Sequence, residues 1–182
     1  MTYYGAKELA ESARTVRKNT LAIAEDIPED KYGYRPAPGC RSIAETLVHI
    51  AVASRNQYQI HAVDRRATLA GFDFPAMLRE NQAEEKKPRS KSEIVALLKA
   101  SGESWANWLD GLTDEFLGER VAFPRGPIPS KSRFEMILSV KEHEMHHRGQ
   151  LMLAERLLGI VPHLTKQMNE RIAEMEAARA KA

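Results

Sequence analysis

The sequence predicts an all-α protein: a four-helix bundle with a crossover between its second and third helices and one extra helix towards the C-terminus. Three observations carry this. No stretch alternates apolar and polar residues for long enough to suggest a sheet, whereas several repeat at the three- and four-residue spacing of one helix face. Ser42, Ser90 and Ser132 are each followed three residues later by Glu, at Glu45, Glu93 and Glu135, just ahead of an apolar-periodic run. In that arrangement the hydroxyl accepts from the backbone N–H of the Glu, and the Glu side chain reaches back, which marks a helix start. Finally, two connections are too long for a simple up-down-up-down order.

Taken in order, Leu9, Ala13, Val16, Thr20 and Ile23 line one face of a first helix that ends near Asp26, where Pro28 stops it. The Ser signals place further helices at about 42–65, 90–110 and 132–158, and a last one at 163–180 follows Pro162, with Gly111 and Gly159 as C-terminal caps. The connection from Arg66 to Arg89 is long enough to run the length of a bundle, so the helices it joins are expected to lie parallel. The segment from Leu112 to Lys131, with Phe123-Pro124-Arg125-Gly126-Pro127 inside it, is expected to pack over one end. The last helix, rich in Ala, Glu, Arg and Lys, reads as a solvated helix.

At 182 residues, 43 % of them hydrophobic and 29 % charged, the chain is expected to form one domain over 1–182 with its own core. Its 27 basic residues are interspersed with 25 acidic ones rather than gathered into a stripe, which argues against nucleic acid as a partner. One cysteine, Cys40, leaves no disulfide framework and no CxxC pair, and no apolar run approaches the roughly 20 residues that span a bilayer. A cytoplasmic protein without a membrane segment is the expectation.

The chemistry gathers in the histidines. His143 and His147 stand four apart on the fourth bundle helix, so both imidazoles can aim at one point. They fall within the inward stripe Met136, Val140, His143, His147, Ala154 and Leu158, and His146 is rotated away from them. A lone histidine on an apolar face is usually a hydrogen-bonded core residue. Two at this spacing each need their nitrogens satisfied, and a shared metal does this for both. A third ligand is still required, and His49 is the candidate, mid-helix among Ala44, Leu47, Val48, Val52 and Ala53. Three neutral imidazoles leave coordination positions open for substrate, unlike a closed structural site.

His143-Glu144-Met145-His146-His147 also satisfies HExxH, in which the glutamate is the general base of a zinc peptidase. The longer form of that motif fails at Gln150 and Leu153. Glu144 is therefore the one candidate catalytic base, against a plainer reading as a solvated surface carboxylate. Plainer readings also hold for Trp105 and Trp108 as packing residues and for Cys40 as a bystander at a helix start. Tyr32, Tyr34 and Arg35 either anchor their loop or face substrate. Arg148 and Gln150 either steady a ligand or bond to neighbours. Gly149 within a helix suggests the close approach of another helix. Phe134, Leu138, Met145 and Met152 form a second apolar stripe that faces away from the histidines, from which a homodimer is expected.

Three segments carry a resemblance to a known family: IPEDKYGYRPAPGCRSIAETLVHIA at 27–51, SEIVALLKASGESWANWLDGLTDEFL at 92–117, and HEMHHRGQLMLAERLLGIVPH at 143–163. In these, and most specifically in the histidine ending ETLVH and the HxxxHRGQ run, the chain resembles the DinB-like (DNA-damage-inducible) metal-binding bundles. The resemblance implies an up-down-down-up left-handed four-helix bundle, nickel or zinc held by His49, His143 and His147, and pairing as a homodimer. It further implies either a metal-dependent enzyme, a thiol-cofactor S-transferase using a low-molecular-weight thiol or a small-molecule hydrolase, or a non-catalytic stress-response bundle that binds metal.

Overall fold

The computed structural model describes residues 4–180. Four long helices form the bundle: α1 (Ala6–Asp26), α2 (Ile43–Tyr58), α4 (Lys91–Asp110) and α6 (Arg133–Leu157). The three Ser-Glu capping boxes open α2, α4 and α6 as the sequence predicts, with both reciprocal hydrogen bonds present in each. Gly159 takes φ of +77° just past the end of α6, a conformation that costs glycine little.

Contacts along the helices fix their directions. Arg14 meets Asp110 while Lys91 reaches the carbonyls of Glu25 and Ile27, so α1 and α4 are antiparallel. Tyr4 stacks edge-on against Phe134 and Arg17 meets Glu144, so α1 and α6 run parallel. Towards its C-terminal end α2 approaches the start of α6, where His61 bonds Arg133, while His49 meets His143 and His147 further along. These two helices are antiparallel. The order is up-down-down-up, with α2 and α4 parallel.

The crossover that allows this is not structureless. Residues 59–63 continue α2 as one π-helical turn, and α3 (Phe74–Glu85) lies within the connection read as a loop. Only Glu85 of α3 is buried, and the apolar spacing of Phe74, Met77 and Leu78 gives way to Asn81 and Gln82 in the next turns, so the period is too short for sequence reading to use. Its remaining signal is local: the Asp73 side chain accepts from the Ala76 N–H, with Pro75 in the first turn. The second long connection likewise holds α5 (Asp114–Gly118) and a hairpin, β1 (Arg120–Ala122) with β2 (Ser130–Ser132). The expectation of no strand is corrected there. Strands of three residues are too short to show a period of two. The last helix, α7 (His163–Arg179), is exposed over most of its length, as expected.

The core is divided. One cluster, at the end where α2 begins, includes Ile23, Leu47, Ile94, Leu98 and Leu151; another, at the opposite end, includes Leu9, Trp105, Leu109, Ile137 and Val140. Between them lies a buried polar layer formed by Arg17, Thr20 and Glu144. The expected outward stripe on α6 is mostly consumed within the chain. Phe134 and Leu138 pack against the second cluster and Met152 against the first, leaving Met145 as the exposed member. Gly149 also departs from expectation, since a Cβ placed there would meet nothing within 4 Å.

Candidate metal centre

Three imidazoles from two antiparallel helices converge. His49 Nε2 lies 2.9 Å from His143 Nε2, which lies 3.1 Å from His147 Nε2. One ligand nitrogen from each of the three falls within 4.8 Å of the others. The i, i+4 spacing on α6 aligns His143 with His147, and the antiparallel crossing of α2 brings His49 opposite them.

What surrounds the rings decides which atoms face inward. His49 Nδ1 donates to Glu85 Oε1 at 2.7 Å, because a carboxylate only accepts. His147 Nδ1 donates to Gln150 Oε1 at 2.8 Å. With the proton held on Nδ1, Nε2 of both rings presents a lone pair to the centre. Burial holds all three rings neutral. It pushes the pKa of His143 down to about 4, helped by His147 and His49 beside it, and it depresses those of His49 and His147 as well.

Between His49 and His147, His143 Nε2 carries the proton that the other two rings accept; its Nδ1 is buried without a partner, so moving the proton there presents a third lone pair to a cation. Three imidazole nitrogens bound tetrahedrally to zinc at 2.0–2.1 Å stand about 3.4 Å apart, so small side-chain rotations separate the observed arrangement from a ligated one. The residues fit a divalent transition metal. Among the described residues no fourth His, Cys, Asp or Glu joins the group.

Glu85 is the residue that sequence reasoning missed. It is buried at the end of α3, tied to Arg41 as well as to His49. Gln150, given two readings from sequence, proves to hold a ring of the group, and it also reaches His146, which stands outside.

Glu144 is not a solvated carboxylate. It is only 6 % exposed, accepts from Arg17 Nε and Nη2, both at 2.9 Å, and from the Thr20 hydroxyl at 2.8 Å. Its partners all lie on α1, while the histidines face α2, so the HExxH reading is left without its base. His61 and His163 take no part in the group either: His61 accepts from Arg133 at Nδ1 within a fully buried pocket, and His163 meets Asn19. Trp105 and Trp108 stack together against the second core cluster. Tyr32 anchors its loop through its hydroxyl to the Ala24 carbonyl.

Beside the centre opens a cavity of about 640 Å³, whose wall includes His147, Gln150 and Glu85. Arg35 and Cys40 border it, as does Arg41.

The model of the DinB superfamily matches residues 13–151, most of the chain and at least part of each bundle helix. The chain belongs to the DinB superfamily. It is 26 % identical over 151 residues to the Bacillus subtilis protein YjoA, covering 79 % of this chain and 84 % of that one. The crystal structure of YjoA, a DinB-like protein, superposes with a TM-score of 0.61 over 84 % of this chain and 92 % of that one, at 21 % identity. YfiT from Bacillus subtilis, described as a probable metal-dependent hydrolase with an unusual four-helix bundle topology, gives 0.66 at 14 % identity, over 88 % and 91 %. A Clostridium difficile 630 protein gives 0.62 at 15 % identity, over 86 % and 98 %. These likenesses support the bundle.

Proposed function

We propose that this DinB superfamily member is a metal-dependent enzyme acting on a small molecule, and that hydrolysis is its reaction. The observation carrying this is the fixed tautomer of two converging rings: Glu85 and Gln150 hold protons on the outer nitrogens of His49 and His147, leaving Nε2 lone pairs for an ion. When bound, a divalent ion in such a site supplies Lewis acidity at an open coordination position. The chain's own residues do the rest. Glu85 and Gln150 orient two ligands, and the adjoining cavity has the size of a small-molecule site. The description of YfiT as a probable metal-dependent hydrolase supports the same reading.

Zinc and nickel both suit three imidazoles. Transfer of a low-molecular-weight thiol uses the same open position and is the second outcome to test. Tag-free protein should carry one equivalent of metal by elemental analysis, and the His49→Ala, His143→Ala and His147→Ala variants should lose it. Metal-loaded protein should then cleave members of a panel of small esters, amides and amidines, with activity lost in the same variants. Protein that refuses metal, or hydrolysis that survives His49→Ala, would defeat the reading.

A further inference from the structure

The charges of the cavity beside the histidines are matched except at one place. Arg41 bonds Glu85, and Arg35 bonds Glu45 and the Cys40 carbonyl, so both guanidinium groups already have carboxylate partners. Lys86, which follows Glu85 at the end of α3, also borders the cavity and is exposed, with no ion-pair partner among the described residues. The deeper wall is apolar, with Ile43, Leu151 and Ala154 each almost fully buried. One cation is thus left over in the lining of a cavity that reaches the histidine group at His147. Any divalent ion would add to that positive balance, and a cationic ligand would meet repulsion throughout.

We infer that the site takes a small organic anion, its reacting group at the three histidines and a carboxylate or comparable anionic end held by Lys86 at the rim. This rests on the metal-dependent reading above. A volume of about 640 Å³ suits a metabolite-sized body and excludes a folded partner. The connection that forms α3 therefore has two uses at once, since adjacent residues Glu85 and Lys86 serve the ligand ring and the substrate's far end.

The test uses cobalt(II)-loaded full-length protein and a homologous series of straight-chain ω-mercaptocarboxylates, with 2-mercaptoethanol as the neutral reference. Ligation by sulfur gives a thiolate-to-cobalt charge-transfer absorption, so binding is read without knowing the reaction. At least one acid of the series should bind about fivefold more tightly than the neutral thiol, the scale of a rim ion pair. That advantage should fall towards unity in Lys86→Gln and at high salt, while 2-mercaptoethanol binds wild type and variant alike. Acids that bind no better than the neutral thiol, or an advantage that survives Lys86→Gln, would overturn the anion site and leave the metal reading standing. Bound cobalt that no thiol ligates would also overturn it. Failure to bind cobalt at all would sink the metal reading, and the anion site with it.

Discussion

Glu155 lies on α6 with no measurable exposure, and neither carboxylate oxygen has a hydrogen-bond partner. Burial, reinforced by Asp26, lifts its pKa from 4.5 to about 7 despite Lys166 and Arg156 nearby. The folded protein therefore holds a proton that the unfolded chain has released. For an acid with a raised folded pKa, stability is greatest below the unfolded value and is lost as pH rises through the folded one. At 1.36 kcal/mol per unit, the full loss is about 3 kcal/mol, of which about 2 kcal/mol falls between pH 5.5 and pH 8. Glu155→Gln keeps the shape and removes the titration. Urea unfolding of wild type and variant at those two pH values should show the variant gaining about 2 kcal/mol relative to wild type on going to pH 8. His61 works in the opposite sense. Its pKa is pushed down to about 4 by burial and by Arg133, so its contribution is lost as pH falls below the ordinary value of 6.5. That effect is common to both proteins and cancels in the comparison. Parallel pH profiles would refute the reasoning, because they would mean that Glu155 is ionised or solvated in the fold.

Other perturbations follow from the same packing. A Cβ at Gly102 would stand 2.7 Å from Arg17 Cγ and 2.8 Å from Arg17 Nη1. Arg17 cannot swing aside while Glu144, Ser101 and the Leu98 carbonyl hold its guanidinium, so Gly102→Ala should cost about 1–3 kcal/mol in urea unfolding. An unchanged midpoint would show that the layer yields. Glu144→Gln strands the Arg17 charge and should destabilise by about 3–5 kcal/mol, with metal stoichiometry unaltered. Normal stability with lost activity would instead return Glu144 to the role of base. Glu85→Ala should weaken metal binding by about 10–100-fold in chelator competition, and Glu85→Gln, which can still accept from His49, should recover much of it. Equal losses in the two variants would argue against an orienting role.

The bundle helices were legible because all four are periodic and three of them open on a capping box. Ser42, Ser90 and Ser132 mark their starts by local hydrogen bonding, and the apolar faces of α1, α2, α4 and α6 repeat over many turns. The His143 and His147 pair was legible for the same reason, since spacing on one helix needs no tertiary information. His49 was not legible in that way. Its position depends on the antiparallel crossing of α2 against α6, and from sequence its place in the group rests chiefly on family resemblance. α3 was hidden because it buries almost none of its side chains, and with it went Glu85, whose role depends on reaching a histidine 36 residues earlier in the chain.

Glu144 shows a further limit. Amphipathic reading assigns a carboxylate to the solvent face unless a partner is visible, and its partner, Arg17, lies 127 residues away on a helix whose apolar stripe gives no reason to suspect a buried cation. The pair also shows why HExxH misleads here. On an isolated helix the motif's spacing alone offers two ligands and a base, but α6 packs against α2 on one side and α1 on the other. The histidines turn to the first and the glutamate to the second. The same five residues therefore contribute to two separate arrangements, a candidate ligand set facing one neighbour and a buried ion pair facing the other, and the order of helices around the bundle joins the mismatches at Gln150 and Leu153 in distinguishing this from a peptidase.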